Sequence, residues 1–124
     1  MKKNIWAVVG AGPCGIACAG RLVEKGIHVY WIDPDFSSGR MGKFYRRVPA
    51  NTPIADLVYS LTLCKSFDFE ASQLIRKSKN IRTISDLNDG RHNYCDLGLF
   101  VDALEDASEH LISSPLITRI QGQC

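Results

Sequence analysis

Three glycines near the amino terminus are the residues of this chain best suited to chemistry. They are spaced Gly-x-Gly-x-x-Gly at positions 10, 12 and 15, and they directly follow an apolar run at residues 5–9. Gly10 permits a tight turn, Gly12 lets the backbone approach a ligand, and Gly15 allows a following helix to pack closely. The N-terminus of that helix presents free N–H groups that attract phosphate. The pattern predicts a site for the pyrophosphate of a dinucleotide.

An acidic residue stands where such a site requires one. The segment after the glycines has helical character, and Gly26 stands where a helix-ending glycine is expected. A second apolar run at residues 27–32 then leads to Asp33, which comes 18 residues after Gly15. A carboxylate about 20 residues beyond the glycines typically accepts hydrogen bonds from the adenosine ribose. Strand, glycine turn, helix and strand together predict a βαβ dinucleotide-binding unit with Asp33 on the ribose.

The same stretch has a second interpretation as a secretion signal. Lys2 and Lys3 precede an apolar run, as in bacterial signal peptides. The glycines and Pro13 interrupt that run early, and a signal peptide gives no reason for the placement of Gly26 and Asp33. The βαβ interpretation is therefore favoured.

Length and composition restrict the class of protein. The chain has 124 residues, of which 45% are hydrophobic and 23% charged, and this predicts one small globular domain over residues 1–124. No apolar run approaches the ~20 residues of a membrane span, so no membrane association is expected. Residues 1–53 carry 8 Lys or Arg against 3 Asp or Glu. This excess suits a phosphate-bearing ligand but lacks the pattern of a nucleic-acid-binding protein.

The cysteines indicate a reducing environment. There are five, an odd number without Cys-x-x-Cys spacing, which argues against a disulfide framework and against a metal site. A cytoplasmic location is expected. Cys14, inside the glycine pattern, is interpreted as a small buried residue beside the turn.

A basic stretch follows Asp33. Residues 34–53 are rich in Gly, Pro and Ser and are predicted to form a long irregular loop. The loop carries Arg40, Lys43, Arg46 and Arg47. It is predicted to fold over the nucleotide and to supply positive groups to the pyrophosphate. The alternative is a solvated basic loop.

The remaining chain is predicted to complete a small parallel sheet. Apolar periodicity predicts helices over residues 54–67 and 96–112, a weaker helix or turn over 69–79, a turn at Asp89-Gly90 and a strand over 116–120. Asp96 is the predicted N-cap of the second long helix, and His110 is interpreted as a packed or surface residue. Right-handed crossovers then place the third strand beside the second, which gives the sheet order 3-2-1. The fold class is α/β, a partial Rossmann-like βαβ-α-β unit that is apparently truncated.

Three segments carry a resemblance to a known family. They are VVGAGPCGIACA at residues 8–19, the strand ending in Asp33, and GRMGKFYRRVPANTP at residues 39–53. The chain resembles the N-terminal FAD-binding part of the flavoproteins with two dinucleotide-binding domains, in particular flavin-containing monooxygenases and related pyridine-nucleotide-dependent oxidoreductases. The resemblance implies FAD as cofactor, with the glycine turn on its pyrophosphate, the acid on its ribose and the later loop running toward the flavin. The cofactor-binding candidates are Gly10, Gly12, Pro13, Cys14, Gly15, Asp33, Gly39, Arg40 and Gly42.

The chain also departs from that family. Family FAD sites more often have Glu where Asp33 stands, so NAD stays open as the ligand, and Ser38-Gly39 replaces a pair of glycines. The sequence contains no second glycine fingerprint for NAD(P)H and no residue that can be assigned to the flavin ring, so no catalytic residue is named. We expect an incomplete domain that needs a partner chain supplying the rest of the enzyme. The alternatives are a non-catalytic NAD- or adenine-nucleotide-binding interaction module and an inactive fragment.

Overall fold

The structure, a computed structural model, describes residues 4–77 and 95–123. Its elements in chain order are β1 (Trp6–Val9), α1 (Pro13–Glu24), β2 (Val29–Asp33), α2 (Gly39–Phe44), α3 (Ile54–Thr62), a 3-10 turn (Lys65–Phe67), α4 (Asp68–Lys77), α5 (Leu97–Ile112) and β3 (Ile117–Gln121). The turn predicted at Asp89-Gly90 lies outside the described residues.

The three strands form one parallel sheet in the order β1-β2-β3. This confirms the predicted α/β class and the predicted strand order. Trp6 pairs with Val29, which in turn pairs with Ile117, and the register continues along the strands. Residues in register project to the same face of a parallel sheet. The two faces can therefore be compared residue by residue.

Among the residues that the structure describes, helices cover one of these faces. Val8, Val29, Trp31 and Ile117 alternate onto the same face and are buried, and both α1 and α5 pack on the sheet and on each other. The alternate set contains Val9, Tyr30 and Ile120, which are exposed. We call this second set, with Ala7, Ile32 and Thr118, the open face. The core thus lies between the sheet and α1 and α5, with α3 and α4 adding an outer layer beside those helices.

The end of α1 follows from its sequence. Gly26 has a φ of +72°, a left-handed conformation that glycine adopts without strain. Its N–H donates to Val23 at 2.9 Å, and the N–H of Ile27 donates to Leu22 at 3.0 Å. These two bonds form a Schellman motif and satisfy carbonyls at the helix end. The prediction that Gly26 ends the helix is confirmed, and the chain returns directly into β2.

Three local predictions need correction. The stretch predicted as an irregular loop contains α2, and the helix predicted over residues 54–67 stops at Thr62 before the separate 3-10 turn. Asp96 precedes α5 as predicted, but its side chain makes no capping hydrogen bond. Instead, its backbone forms an antiparallel bridge with Pro49. Tertiary pairing with the preceding segment therefore positions this helix start. The weaker helix after residue 68 is confirmed as α4.

The segment between α2 and α3 is attached to the start of α5. The N–H of Ala50 donates to Cys95 at 2.8 Å, that of Leu97 to Val48 at 2.9 Å, and that of Gly98 to Arg46 at 2.8 Å. A Cβ at Gly98 would lie 2.7 Å from the Arg46 carbonyl oxygen, so the close approach requires glycine. Within the described ranges no helix is long and apolar enough to cross a membrane.

Candidate nucleotide-binding site

The turn between β1 and α1 is held from both sides. The N–H of Gly10 donates to the Ile32 carbonyl at 2.8 Å, and the Trp31 indole N–H donates to the Gly10 carbonyl at 2.8 Å. Gly10 has a φ of +102°, a conformation that L side chains rarely adopt. A Cβ at Gly15 would overlap the same Gly10 carbonyl oxygen. The first and third glycines are therefore required by the turn itself.

Gly12 differs from those two glycines because the space beside it is open. It is the N-cap of α1 and has ordinary extended backbone angles. Within residues 4–77 and 95–123, no side chain caps the helix and a Cβ built at Gly12 meets nothing within 4 Å. Pro13 occupies the first helical position, where its missing N–H costs no helix bond. The result is an uncapped helix N-terminus beside which an anion has room to bind.

Asp33 lies at this turn and is already engaged by the backbone. Its side chain is buried, with 6% of the residue exposed. Oδ1 accepts a hydrogen bond from the Ala11 N–H at 2.8 Å, and Oδ2 accepts from the N–H groups of Asp35 at 3.1 Å and Phe36 at 2.7 Å. The carboxylate thus joins the glycine turn to the loop after β2. A carboxylate has about four acceptor positions, and the described residues occupy three of those of Asp33, which leaves one on Oδ1 for a ligand.

Trp31 and Phe36 complete the support of the turn, although neither is among the site residues predicted from the sequence. Their rings meet edge to face with centroids 5.2 Å apart. Trp31 is fully buried beneath the turn and Phe36, with a φ of +54°, is buried beside it. The sequence contained one sign of the role of Trp31, because a tryptophan stands at a core position of the strand that ends in Asp33.

The loop after β2 approaches the turn through one glycine. Gly39 has a φ of +63°, and a Cβ there would lie 3.5 Å from the Gly12 Cα. Gly42 serves the loop itself, because a Cβ there would overlap the Ser37 carbonyl oxygen. Arg40 is exposed on the first turn of α2, beside Gly39. Of the loop candidates, Gly39 is brought to the turn and Gly42 is used for packing.

Two of the four basic side chains of this stretch bind acids of the chain. Lys43 Nζ lies 2.7 Å from Asp35 Oδ2, and the hydrogen bonds from Lys43 and Ser37 lower the pKa of Asp35 to about 2. Arg46 contacts Asp102 at 2.8 Å and Glu105 at 2.7 Å, and these hydrogen bonds raise the pKa of Arg46. Both cations are thus paired with carboxylates of this chain rather than presented at the glycine turn.

The interpretation of Cys14 as a buried residue is wrong. Cys14 and Cys18 are both exposed on α1, because their helix positions face away from the sheet. Cys64 is the buried cysteine of this region, and burial raises the pKa of its thiol. Among the residues that the structure describes, no group of His, Cys, Asp or Glu is arranged to hold a metal ion. His110 is exposed, as interpreted, and its Nδ1 lies 3.2 Å from Glu70 Oε1.

Two cavities adjoin the site. One, of about 460 Å³, is mostly apolar, lies between α1, α3 and α5, and begins at Pro13 and Cys14. The other, of about 260 Å³, is polar and begins at Asp35 and Phe36, whose N–H groups donate to Asp33. The Arg119 guanidinium closes one side of it, 4.8 Å from the centre of the Phe36 ring. The turn therefore has an apolar space on one side and a polar one on the other.

Comparison with known proteins shows a similarity over part of the chain. The chain is 50% identical over 56 residues to a protein of Paecilomyces divaricatus named Monooxygenase AgnR1. The match covers 44% of this chain and 14% of that relative's length. No family model matches the chain, and no solved structure matches it. The similarity supports a possible oxidoreductase-type role.

Proposed function

We propose that this chain binds FAD through its pyrophosphate and adenosine ribose, as the FAD-binding segment of a monooxygenase-like flavin-dependent oxidoreductase. The observation that carries the proposal is the open space at Gly12, at an uncapped helix N-terminus whose turn is fixed by Asp33 and Trp31. The similarity to a protein named monooxygenase supports the flavin class. When bound, the flavin would supply the electron-transfer chemistry.

The roles of the chain's residues follow from this placement. The N–H groups at the start of α1 would donate to the pyrophosphate, and the absence of a side chain at Gly12 would let the phosphate oxygens come close. The free acceptor position of Asp33 Oδ1 would bind one ribose hydroxyl. Arg40 would stand beside the phosphates at Gly39. The adenosine would extend toward the polar cleft at Phe36.

The catalytic part is proposed to come from polypeptide beyond these 124 residues. Hydride transfer requires flavin, reductant and substrate to be held together. The residues of the site account for the phosphate and ribose end of the cofactor only. The matched segment forms 14% of the relative's length, which leaves the greater part of that protein for the other tasks.

A second candidate is a non-catalytic module that binds NAD or another adenine nucleotide. The identity of Asp33 favours it, because FAD sites of the family that the chain resembles more often have Glu at this position. A phosphate-and-ribose site does not by itself distinguish the two dinucleotides, since both contain an adenosine diphosphate.

Calorimetric titration of the purified chain with FAD, NAD, NADP and ADP tests these proposals. We expect FAD to bind most tightly and the purified protein to carry flavin absorbance. NADP should bind most weakly, because a carboxylate at position 33 repels a 2′-phosphate. Tightest binding of NAD would support the interaction module instead. If none of the four ligands released heat or raised the melting temperature, both proposals would be wrong.

A further inference from the structure

The polar cleft beside the glycine turn has a buried hydroxyl group in its wall. This is the cavity of about 260 Å³ that begins at Asp35 and Phe36. Ser108 of α5 lines it, and only 2% of this residue is exposed. Among the described residues its Oγ has no hydrogen-bond partner. A buried polar group without a partner destabilises a fold, so its presence requires an explanation.

Other serines within the helices of this chain bind their own backbone. The hydroxyl of Ser60 in α3 donates to the Leu57 carbonyl at 2.7 Å, and that of Ser72 in α4 donates to the Asp68 carbonyl at 2.9 Å. Bonds of this kind are the usual local solution for a serine inside a helix. Within residues 4–77 and 95–123, Ser108 makes no such bond. Its hydroxyl is therefore available to a group bound in the cleft.

The cleft lies where the base of a bound nucleotide is expected. The N–H groups of Asp35 and Phe36, which line it, donate to Asp33 Oδ2, and Oδ1 of the same carboxylate is the proposed acceptor for a ribose hydroxyl. The base is bonded directly to the ribose, so it lies within one sugar ring of Asp33. Pockets for whole drug-sized ligands measure ~300–1,000 Å³. The smaller volume of this cleft suits a single heterocyclic base.

The groups on the walls of the cleft fit an aminopurine. Glu109 also lines the cleft, and its carboxylate can only accept hydrogen bonds, whereas the Ser108 hydroxyl can donate as well as accept. Adenine presents an amino group, which donates, next to ring nitrogens, which accept. The Arg119 guanidinium, 4.8 Å from the centre of the Phe36 ring, provides a flat group on which a planar base can stack. Hypoxanthine has a carbonyl oxygen in place of the amino group and would set that oxygen against the carboxylate.

We propose that this cleft selects adenine as the base of the bound nucleotide, with Ser108 Oγ donating to a ring nitrogen and the Glu109 carboxylate accepting from the amino group. This selection rests on the proposed function, because it requires the phosphates at α1 and the ribose at Asp33. It applies to FAD and to NAD alike, since both contain adenosine diphosphate. Residues of α5 thereby add specificity for the base to a site whose other groups recognise phosphate and ribose.

Calorimetric titration of the chain with ADP, IDP and inorganic pyrophosphate tests the proposal. ADP and IDP differ at position 6 of the purine, which carries the amino group in one and the carbonyl oxygen in the other. We expect ADP to bind at least about tenfold more tightly than IDP. Equal affinities for ADP and IDP would overturn the selection of adenine and leave the phosphate site standing. A chain that binds none of the three probes would overturn the proposed function as well.

Ser108→Ala separates a binding role from a structural one. It removes a buried hydroxyl that has no partner among the described residues, so the melting temperature should stay the same or rise. The affinity for ADP should nevertheless fall about fivefold, while the affinity for pyrophosphate stays unchanged. The matched control Ser72→Ala removes an exposed hydroxyl of α4 and should leave the affinity for ADP unchanged. Undiminished ADP binding by Ser108→Ala, or an equal loss for pyrophosphate, would contradict the proposal.

Glu109→Gln tests the choice between the two bases. The glutamine side chain has the same length as glutamate and offers a donor as well as an acceptor. It can therefore donate to the carbonyl oxygen of hypoxanthine, so the preference for ADP over IDP should shrink to about threefold or less. Circular dichroism checks that the helix content is unchanged. If Glu109→Gln kept the full preference for ADP, the assignment of Glu109 to the amino group would be wrong.

Discussion

The two glycine-containing turns at the carboxyl edge of the sheet use glycine for different purposes. In the turn after β1, Gly10 and Gly15 fit against each other so that Gly12 stands beside empty space. In the loop after β2, the space beside Gly42 is filled by the loop's own backbone. Among the described residues, the first turn has open space beside its second glycine, whereas most of the second turn is filled by its own backbone. Glycine spacing alone does not separate these two cases.

The basic side chains extend this contrast. The α1 N-terminus, with its free N–H groups, contributes positive potential at the first turn. In the loop after β2, Lys43 and Arg46 are bound to carboxylates of the chain. The number of basic residues in the loop therefore overestimates the positive charge that is available to bind a phosphate. Substitutions in both regions test the contrast, and their expected effects decrease from Gly15→Ala to Lys43→Ala.

Gly15→Ala should have the largest effect on the free energy of unfolding. The new Cβ would overlap the Gly10 carbonyl oxygen, and moving α1 away from β1 would open the core, so we expect a loss of at least about 3 kcal/mol. Urea unfolding followed by circular dichroism measures it. A variant within about 1 kcal/mol of the unchanged chain would show that the turn is not closed as described.

Asp33→Ala should cost about 3 kcal/mol of unfolding free energy. It leaves the N–H groups of Ala11, Asp35 and Phe36 without their acceptor, and buried donors left unpaired cost about 1–3 kcal/mol each. Asp33→Asn, which keeps one acceptor oxygen, should lose less. If Asp33→Ala were as stable as the unchanged chain, the carboxylate would not be what joins the two turns.

Much of this arrangement could be predicted from the sequence, because it depends on local patterns. The spacing of Gly10, Gly12 and Gly15 predicted the turn, Gly26 predicted the helix end, and the apolar runs predicted the strands. The strand order followed from the right-handed crossover rule. The engagement of Asp33 could not be predicted, because it depends on the left-handed backbone of Phe36. The pairing of Arg46 depends on α5, more than 50 residues later in the chain. Such contacts exist only once the tertiary structure has formed.

Gly10→Ala and Gly26→Ala form a matched pair. Both glycines have positive φ, and a Cβ at either one meets no atom of the described residues within 4 Å, so each alanine should cost about 1–2 kcal/mol in backbone strain alone. Only Gly10 lies in the turn, so only Gly10→Ala should also weaken FAD binding. Equal binding losses in the two variants would mean that general destabilisation is the cause.

Arg46→Ala should cost about 0.5–1 kcal/mol, because its carboxylate partners are partly exposed and solvent screens the ion pairs. FAD affinity should not change, since the guanidinium is bound to α5. Arg40→Ala should have the opposite outcome, with unchanged stability and weaker FAD binding. Urea unfolding and calorimetric titration of both variants distinguish these outcomes. A large loss of FAD binding in Arg46→Ala would contradict the assignment of this arginine to α5.

Lys43→Ala should have the smallest effect on stability, and the effect should be detectable only at acidic pH. Lys43 is the largest cause of the low pKa of Asp35, so its removal should raise that pKa from about 2 toward its ordinary value. Because the pKa of Asp35 is lower in the folded chain than in the unfolded chain, the ion pair contributes its full stability above the ordinary pKa of an Asp carboxyl. That contribution is lost as the pH falls through about 2. Carbon-13 NMR titration of the Asp35 carboxyl measures this directly. An unchanged pKa would show that the ion pair does not form.

The central claim, that Gly12 is kept small for a ligand and not for the fold, is tested most directly by Gly12→Ala. Because a Cβ there meets nothing within 4 Å and the backbone angles are ordinary, the unfolding free energy should change by less than about 1 kcal/mol. Calorimetric titration should nevertheless show FAD affinity reduced at least about tenfold, a difference of ~1.4 kcal/mol in binding. Undiminished FAD binding by a stable Gly12→Ala chain would contradict the claim.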